Sequence, residues 1–301
     1  MKIIFAGSPD FSVPVLKELT KLHDICLVIT QPDRPAGRGK KMQQSPIKIA
    51  ATSLDLPISQ PQNIQDPVFI KSLAALNADI MIVSAYGQIL PQALLSLTRY
   101  HAWNIHASIL PRWRGASPIE HAILYGDRIT GISIMKMEKG MDTGAVIHEE
   151  QILIGTNNRI ELTQLLSKIA PRAMLDGLEK IQLGKTPKAQ DENKVTYAPK
   201  ILAADCKIDW QNHAQHISQQ VRALFPRAYC IFNEKRIRLL DSVVLQQSGP
   251  AGQISKSHEG LIIFCKEDAI LVKTVQIEGK SAIFWKEFYN GHQDMIGQFF
   301  L

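Results

Sequence analysis

Apolar positions in the first half of the chain come in short unbroken runs: KIIFA (2–6), ICLVIT (25–30), DIMIVSA (79–85), AWNIH (102–106) and GISIMKM (131–137). A run that is apolar at every position suits a strand buried on both faces, so these segments predict a parallel sheet. The segments between them have helical spacing and a proline in or near the first turn. Ser12 is placed to cap a helix with Pro14 behind it, and further helices are expected over 67–76, 91–97 and 117–125. A longer helical pattern over 159–183 closes this half. Strands alternating with helices predict a doubly wound, mostly parallel, Rossmann-like α/β sheet.

The pattern then changes. Residues 184–209 are polar, contain proline and have little periodicity, as in a linker. One helical segment (213–224) follows, and then five strand-like runs, AYCIF, RIRLLDSVVL, AGQIS, LIIFC and AILVKTVQI, before a final SAIFWKEFYNG. Short strands separated by turn residues predict a small β-barrel of the oligonucleotide-binding type. The expected division is a first domain over 1–188, a linker over 189–208 and a β-rich domain over 209–301.

Composition adds that 45% of the 301 residues are hydrophobic and 21% charged, which excludes disorder as the main state. Cys26, Cys206, Cys230 and Cys265 lie far apart with no C-x-x-C pair, so neither a disulfide framework nor a zinc knuckle is expected, and a reducing cytoplasm fits. The apolar start MKIIFA breaks at Gly7, too short for a signal sequence, and no other apolar run is long enough to cross a bilayer. His101, His121, His148 and the other histidines show no ligand spacing, so no metal is expected. The net charge is +6, and residues 31–48 hold five basic residues against one acid. From Asp205 onward, basic and acidic residues nearly balance. Most of the surplus sits in one loop, as a local attractor for a polyanion would.

In sheets of this class ligands bind beyond the carboxyl ends of the strands. Asn104 and His106 stand at such an end, and strand alternation points both to one face. Asp142 lies in the turn KGMDTG after the run 131–137. An amide donor, an imidazole and a carboxylate on neighbouring loops suit acyl transfer. With no serine or cysteine in a nucleophile elbow, direct transfer to an external nucleophile is favoured over a covalent enzyme intermediate. The residues alone also fit structural roles: a hydrogen-bonded strand end for Asn104 and His106, and a turn bonded to its own backbone for Asp142.

The motifs FAGSPDF, QPDRPAGRGKK, AYGQILP, NIHASILPRWRGASPI and MEKGMDTGAVI carry a resemblance over essentially the whole length. The chain resembles the folate-dependent formyltransferases. The basic PAGRGKK insertion, the linker and the β-rich tail make it similar to those that act on methionyl-tRNA. The resemblance implies that a monomer transfers the formyl group of 10-formyltetrahydrofolate to methionyl initiator tRNA for translation initiation, in the cytoplasm and without a metal. It implies Asn104, His106 and Asp142 as the catalytic trio; Ser108, Ile109, Leu110 and Pro111 at the folate; and Arg38, Lys40 and Lys41 on the tRNA, together with the C-terminal domain. Ala107 and Ile109 replace the usual Gly and Leu. Formyltransferases of glycinamide ribonucleotide or of a nucleotide sugar would share the trio, whereas a non-catalytic RNA-binding protein would not need it.

Overall fold

A computed structural model describes residues 1–36, 39 and 41–301. Its contacts divide the chain into two units. One holds Met1–Gly115, Ile129–Leu153 and Thr163–Ala198; the other holds Ala116–Arg128, Ile154–Leu162 and Pro199–Leu301. The polar stretch expected as a linker thus contributes residues 189–198 to the first unit.

Seven strands form the sheet of the first unit: β1 (Lys2–Gly7), β2 (Asp24–Ile29), β3 (Ile58–Ser59), β4 (Ile80–Ser84), β5 (Ala102–His106), β6 (Ile129–Lys136) and β7 (Val146–Leu153). Their order is β7-β6-β5-β4-β1-β2-β3. Strands β1 to β5 are parallel, as their unbroken apolar runs predict. The run 131–137 departs from that expectation, because β6 pairs antiparallel with β5, and β7 antiparallel with β6. A strand buried on both faces reads the same in either direction, so the apolar run carries no sign of its polarity. The edge strand β7 was not expected at all, since VIHEEQIL is nowhere fully buried and reads as surface.

The helices are α1 (Val13–Leu19), α2 (Pro46–Ser53), α3 (Pro67–Ala74), α4 (Gln92–Leu95), α5 (Pro118–Leu124), α6 (Arg159–Gln182), α7 (Ala214–Ala223) and α8 (Trp285–Asn290). Ile4, Ala6, Met81, Val83 and Ala102 on one sheet face are buried with Leu73 of α3 and Leu94 and Leu95 of α4. The opposite face is covered by α6: a Cβ on Gly177 would come within 3.0 Å of Ile134 on β6. Helix α2 was not expected from the pattern, yet it has a clear start. Ser45 accepts the Lys48 N–H at 3.0 Å and Pro46 opens the first turn.

Ser12 corrects one expectation. It occupies the cap position of α1 but makes no capping bond. The turn Asp10–Ser12 buries the serine fully against β4, where its hydroxyl donates to the Ser84 carbonyl at 2.8 Å and lies 2.8 Å from the Ser84 hydroxyl.

In the second unit α5 packs on α7, and two four-stranded antiparallel sheets follow. The strands are β8 (Tyr229–Phe232), β9 (Lys235–Leu239), β10 (Val243–Leu245), β11 (Ile254–Lys256), β12 (Leu261–Phe264), β13 (Ala269–Val272), β14 (Thr274–Ile277) and β15 (Ala282–Phe284). One sheet has the order β8-β9-β14-β15 and the other β10-β13-β12-β11. Among the described residues no ladder joins the two into a closed barrel. Each of the two longest apolar runs is in fact two strands that pass from one sheet to the other. The two crossings are bonded together, with the Lys273 N–H donating to Asp241 Oδ1 at 2.6 Å and the Leu240 N–H to the Thr274 carbonyl at 3.0 Å. Among the described residues no helix is long and apolar enough to cross a membrane.

Ser12→Ala would strand the buried Ser84 hydroxyl. It is expected to lower unfolding free energy by about 1–3 kcal/mol in urea titrations, the range for a buried polar group left unpaired. An unchanged midpoint would show that the Ser12–Ser84 pair contributes nothing.

Candidate active site

Because β5 alternates, Asn104 and His106 continue the face on which Ala102 is buried, one and two steps beyond the apolar layer. Asn104 is half-buried, and among the described residues no bond is made by its side-chain amide. His106 is only 5% exposed. Its Nε2 lies 2.9 Å from the Trp113 carbonyl. A carbonyl only accepts, so Nε2 carries a proton, and Nδ1 is the nitrogen that faces Asp142 Oδ2 at 3.6 Å.

Asp142 reaches this position by an unexpected route. Lys136, the last residue of β6, is paired with Trp103 near the start of β5, so β6 ends at the far end of β5 from His106. The loop after it therefore doubles back. At its apex Asp142 adopts a left-handed φ of +51°, which Asp tolerates better than most residues, and its Oδ2 accepts the Gly115 N–H at 2.8 Å. A Cβ on Gly144 would run into the Lys136 carbonyl, so only glycine lets the loop fold back this tightly over its own strand.

The loop between His106 and Gly115 is held on two sides. Ser133 of β6, fully buried and paired with His106, donates to the Ser108 carbonyl at 2.7 Å and accepts the Leu110 N–H at 3.1 Å. Ser108 Oγ donates to the Arg112 carbonyl at 2.6 Å. From the other side Thr196 accepts the Trp113 N–H on Oγ1 and the Arg114 N–H on its carbonyl, each at 2.9 Å. Arg114–Gly115 and Tyr197–Ala198 then pair as two short parallel strands.

Leu110 and Pro111 help to wall a cavity of about 520 Å³ together with His148, Lys180, Lys188 and Gln190, whereas none of the trio lines it. Burial, and Lys180 Nζ at 2.9 Å from Nδ1, hold the His148 imidazole below its ordinary pKa. Ser108 is buried, so only part of the segment 108–111 faces open space. Tyr86, in the AYGQILP segment, is buried with no partner for its hydroxyl among the described residues, and burial pushes its pKa up to about 12. In the basic loop, Arg34–Ala36 pairs with Lys41–Gln43 as a hairpin that leaves Lys41 exposed, and Lys48 is engaged by Asp33 at 2.7 Å. Arg38 and Lys40 lie outside the described residues. Sequence reasoning missed Ser133, Gln190 and Thr196 entirely, and it gave Arg114 no role although PRWRG was in view.

Residues 1–177 match the family model described as formyl transferase, and residues 200–293 match formyl transferase, C-terminal domain. The chain belongs to the formyl transferase family. Within this family it is 41% identical over 303 residues to the methionyl-tRNA formyltransferase of Xanthomonas axonopodis pv. citri (strain 306), covering 98% of this chain and 99% of that one. To the methionyl-tRNA formyltransferase of Jannaschia sp. (strain CCS1) it is 43% identical over 295 residues, 97% of each chain. The solved N-formyltransferase from Helicobacter canadensis, in complex with folinic acid and dTDP-3-aminofucose, superposes with a TM-score of 0.66 at 17% identity, covering 90% of this chain and 98% of that one. At that identity the likeness establishes that the formyl transferase fold is shared.

Gly144→Ala is expected to push the Asp142 turn away from Lys136. Unfolding free energy should fall by about 1–3 kcal/mol, as overpacked sites do, and formyl transfer should drop with it. A variant with unchanged stability and rate would show that the turn has room that its geometry denies.

Proposed function

We propose that this chain transfers the formyl group of 10-formyltetrahydrofolate to the α-amino group of methionyl initiator tRNA, giving the formylated tRNA that begins translation in the cytoplasm. One observation carries the reading: relatives named for this activity match over 97–98% of the chain, so the basic loop, the strand ends and the C-terminal sheets are matched together. The folate supplies the activated formyl group. Leu110 and Pro111, which face a cavity, and the backbone of Ser108 and Ile109 are the residues assigned to hold it.

Asn104 offers an amide with no partner among the described residues, which suits a donor that meets an oxygen gaining negative charge during transfer. Nε2 of His106 is engaged by the Trp113 carbonyl, which leaves Nδ1, 3.6 Å from Asp142 Oδ2, as the nitrogen open to exchange a proton. His106 therefore suits the carriage of the proton that leaves the attacking amine and must reach the departing folate nitrogen, and Asp142 stabilises it while it is charged. Overall one C–N bond breaks, one forms, and one proton changes nitrogen. For the tRNA, Arg38, Lys40 and Lys41 are the proposed acceptor-end contacts. Arg236 and Arg238, two residues apart on β9 and both exposed opposite buried Ile237 and Leu239, add a basic strip to the second unit.

The test is single-turnover formylation of initiator and elongator methionyl-tRNA side by side, with a nucleotide amino sugar as a control acceptor. Initiator tRNA should be formylated fastest, and Asn104→Ala, His106→Ala and Asp142→Ala should each slow the step by about 10²–10³-fold with little change in melting temperature. Two of the three at wild-type rate, or preference for the amino sugar, would overturn the reading.

Arg38→Ala separates the tRNA role of the basic loop from a solvated surface. It should weaken tRNA binding and reduce the slope of log affinity against log salt by about one, with folate binding intact. An unchanged slope would leave the loop without a tRNA role.

A further inference from the structure

Asp142 is gripped at both ends by one closed ring of hydrogen bonds. Its carboxylate accepts the Gly115 N–H at 2.8 Å. Gly115 follows Arg114, whose side chain is 1% exposed, and Arg114 Nε donates to Gln190 Oε1 at 3.0 Å. Gln190 Nε2 in turn donates to the carbonyls of Asp142 and Gly144, at 2.8 and 2.7 Å, which completes the ring. Glu192 fixes the Arg114 fork with contacts of 2.7 and 3.3 Å, and that hydrogen bonding holds the Glu192 carboxyl below its usual pKa.

We infer that Gln190 is a positioning residue for formyl transfer, acting through Asp142 by clamping the two carbonyls of its turn; this rests on the role proposed above for Asp142. The physical need is specific. Asp142 has a left-handed backbone at the apex of a loop that leaves its strand at the wrong end, so no strand geometry fixes its carboxylate. A single amide that bonds the carbonyls of both Asp142 and Gly144 locks the turn between them. Its own oxygen is anchored on the Arg114 guanidinium, which is buried and also engaged by Glu192. Freed of the clamp, the turn carbonyls would bond water and the carboxylate would leave its 3.6 Å station beside His106.

The experiment uses Gln190→Glu and Gln190→Ala in the full-length chain. Glutamate keeps an acceptor for Arg114 but has no N–H for the two carbonyls, so Arg114 stays partnered while the clamp is lost. In single-turnover formylation at saturating 10-formyltetrahydrofolate and methionyl-tRNA, both variants should lose roughly 10- to 100-fold in rate, the effect of a small misplacement of a catalytic group. The KM for methionyl-tRNA should stay within about twofold, and in an Asp142→Ala background the added Gln190→Glu loss should shrink below about twofold, since residues acting as one unit do not add. Gln190→Glu that melts like wild type and reacts at its rate would overturn the inference. So would an equal loss with and without Asp142, which would mark a general structural role. The two readings fail separately: Asp142→Ala at wild-type rate sinks the assignment of Asp142, whereas an inactive Asp142→Ala beside an active Gln190→Glu sinks the clamp alone.

Discussion

A buried imidazole must have both its nitrogens accounted for, and in this chain the account begins with the Trp113 carbonyl at 2.9 Å from His106 Nε2. That contact sets where the proton sits on the ring, and so leaves Nδ1 for Asp142. It also closes the loop 106–115 back on the strand that launched it. The carbonyl is in turn held in place, because the Trp113 N–H donates to Thr196 and the Arg112 guanidinium lies 4.2 Å from the Trp113 ring centre. Trp113 itself has a left-handed φ of +64°, a conformation that persists in a bulky residue only when its surroundings impose it. Thr196, Ser133 and the Arg114–Ala198 pairing are those surroundings.

Half of this arrangement was open to inspection in the sequence. A strand has a period of two, so a polar pair two apart at the end of AWNIH had to share a face, and the fold rule that ligands sit beyond strand ends gave that face a purpose. Asp142 stood out because D-T-G between glycines reads as a turn. Its path did not, since the polarity of β6 leaves no mark on an apolar run. Arg114 was hidden for a different reason. Nothing local distinguishes a charged residue that is 1% exposed from one on the surface; its burial follows from Gln190 and Glu192, which lie more than seventy residues on.

The second unit shows the same limit in another form. In KRIRL the strand alternation is plain in the structure, with Ile237 and Leu239 buried and Arg236 and Arg238 exposed. Yet RIRLLDSVVL and AILVKTVQI each read as one strand, because each crossing between sheets takes only a few residues and contains no glycine or proline. The bonds that mark the crossings, Lys273 to Asp241 and Leu240 to Thr274, join one run to the other, and neither run taken alone contains that information.

The trio therefore has two unlike halves. Asn104 and His106 stand on a central strand whose neighbours on both sides are paired to it, and their positions follow from the sheet. Asp142 hangs on a loop that doubles back along β6, and sites on loops are inherently less fixed than sites on strands. Hydrogen bonds to segments distant in sequence make up the difference: Gly115 on the carboxylate and Gln190 on the carbonyls. Gln190, and Glu192 and Thr196, which hold Arg114 and Trp113 beside it, come from a polar stretch that looks like spacer, which gives residues 190–198 a reason to fold onto the first unit before the chain goes on to the second. The length and polarity of that stretch follow from its task, since its side chains must reach into the gap between two loops and satisfy backbone groups there that no strand ladder can serve.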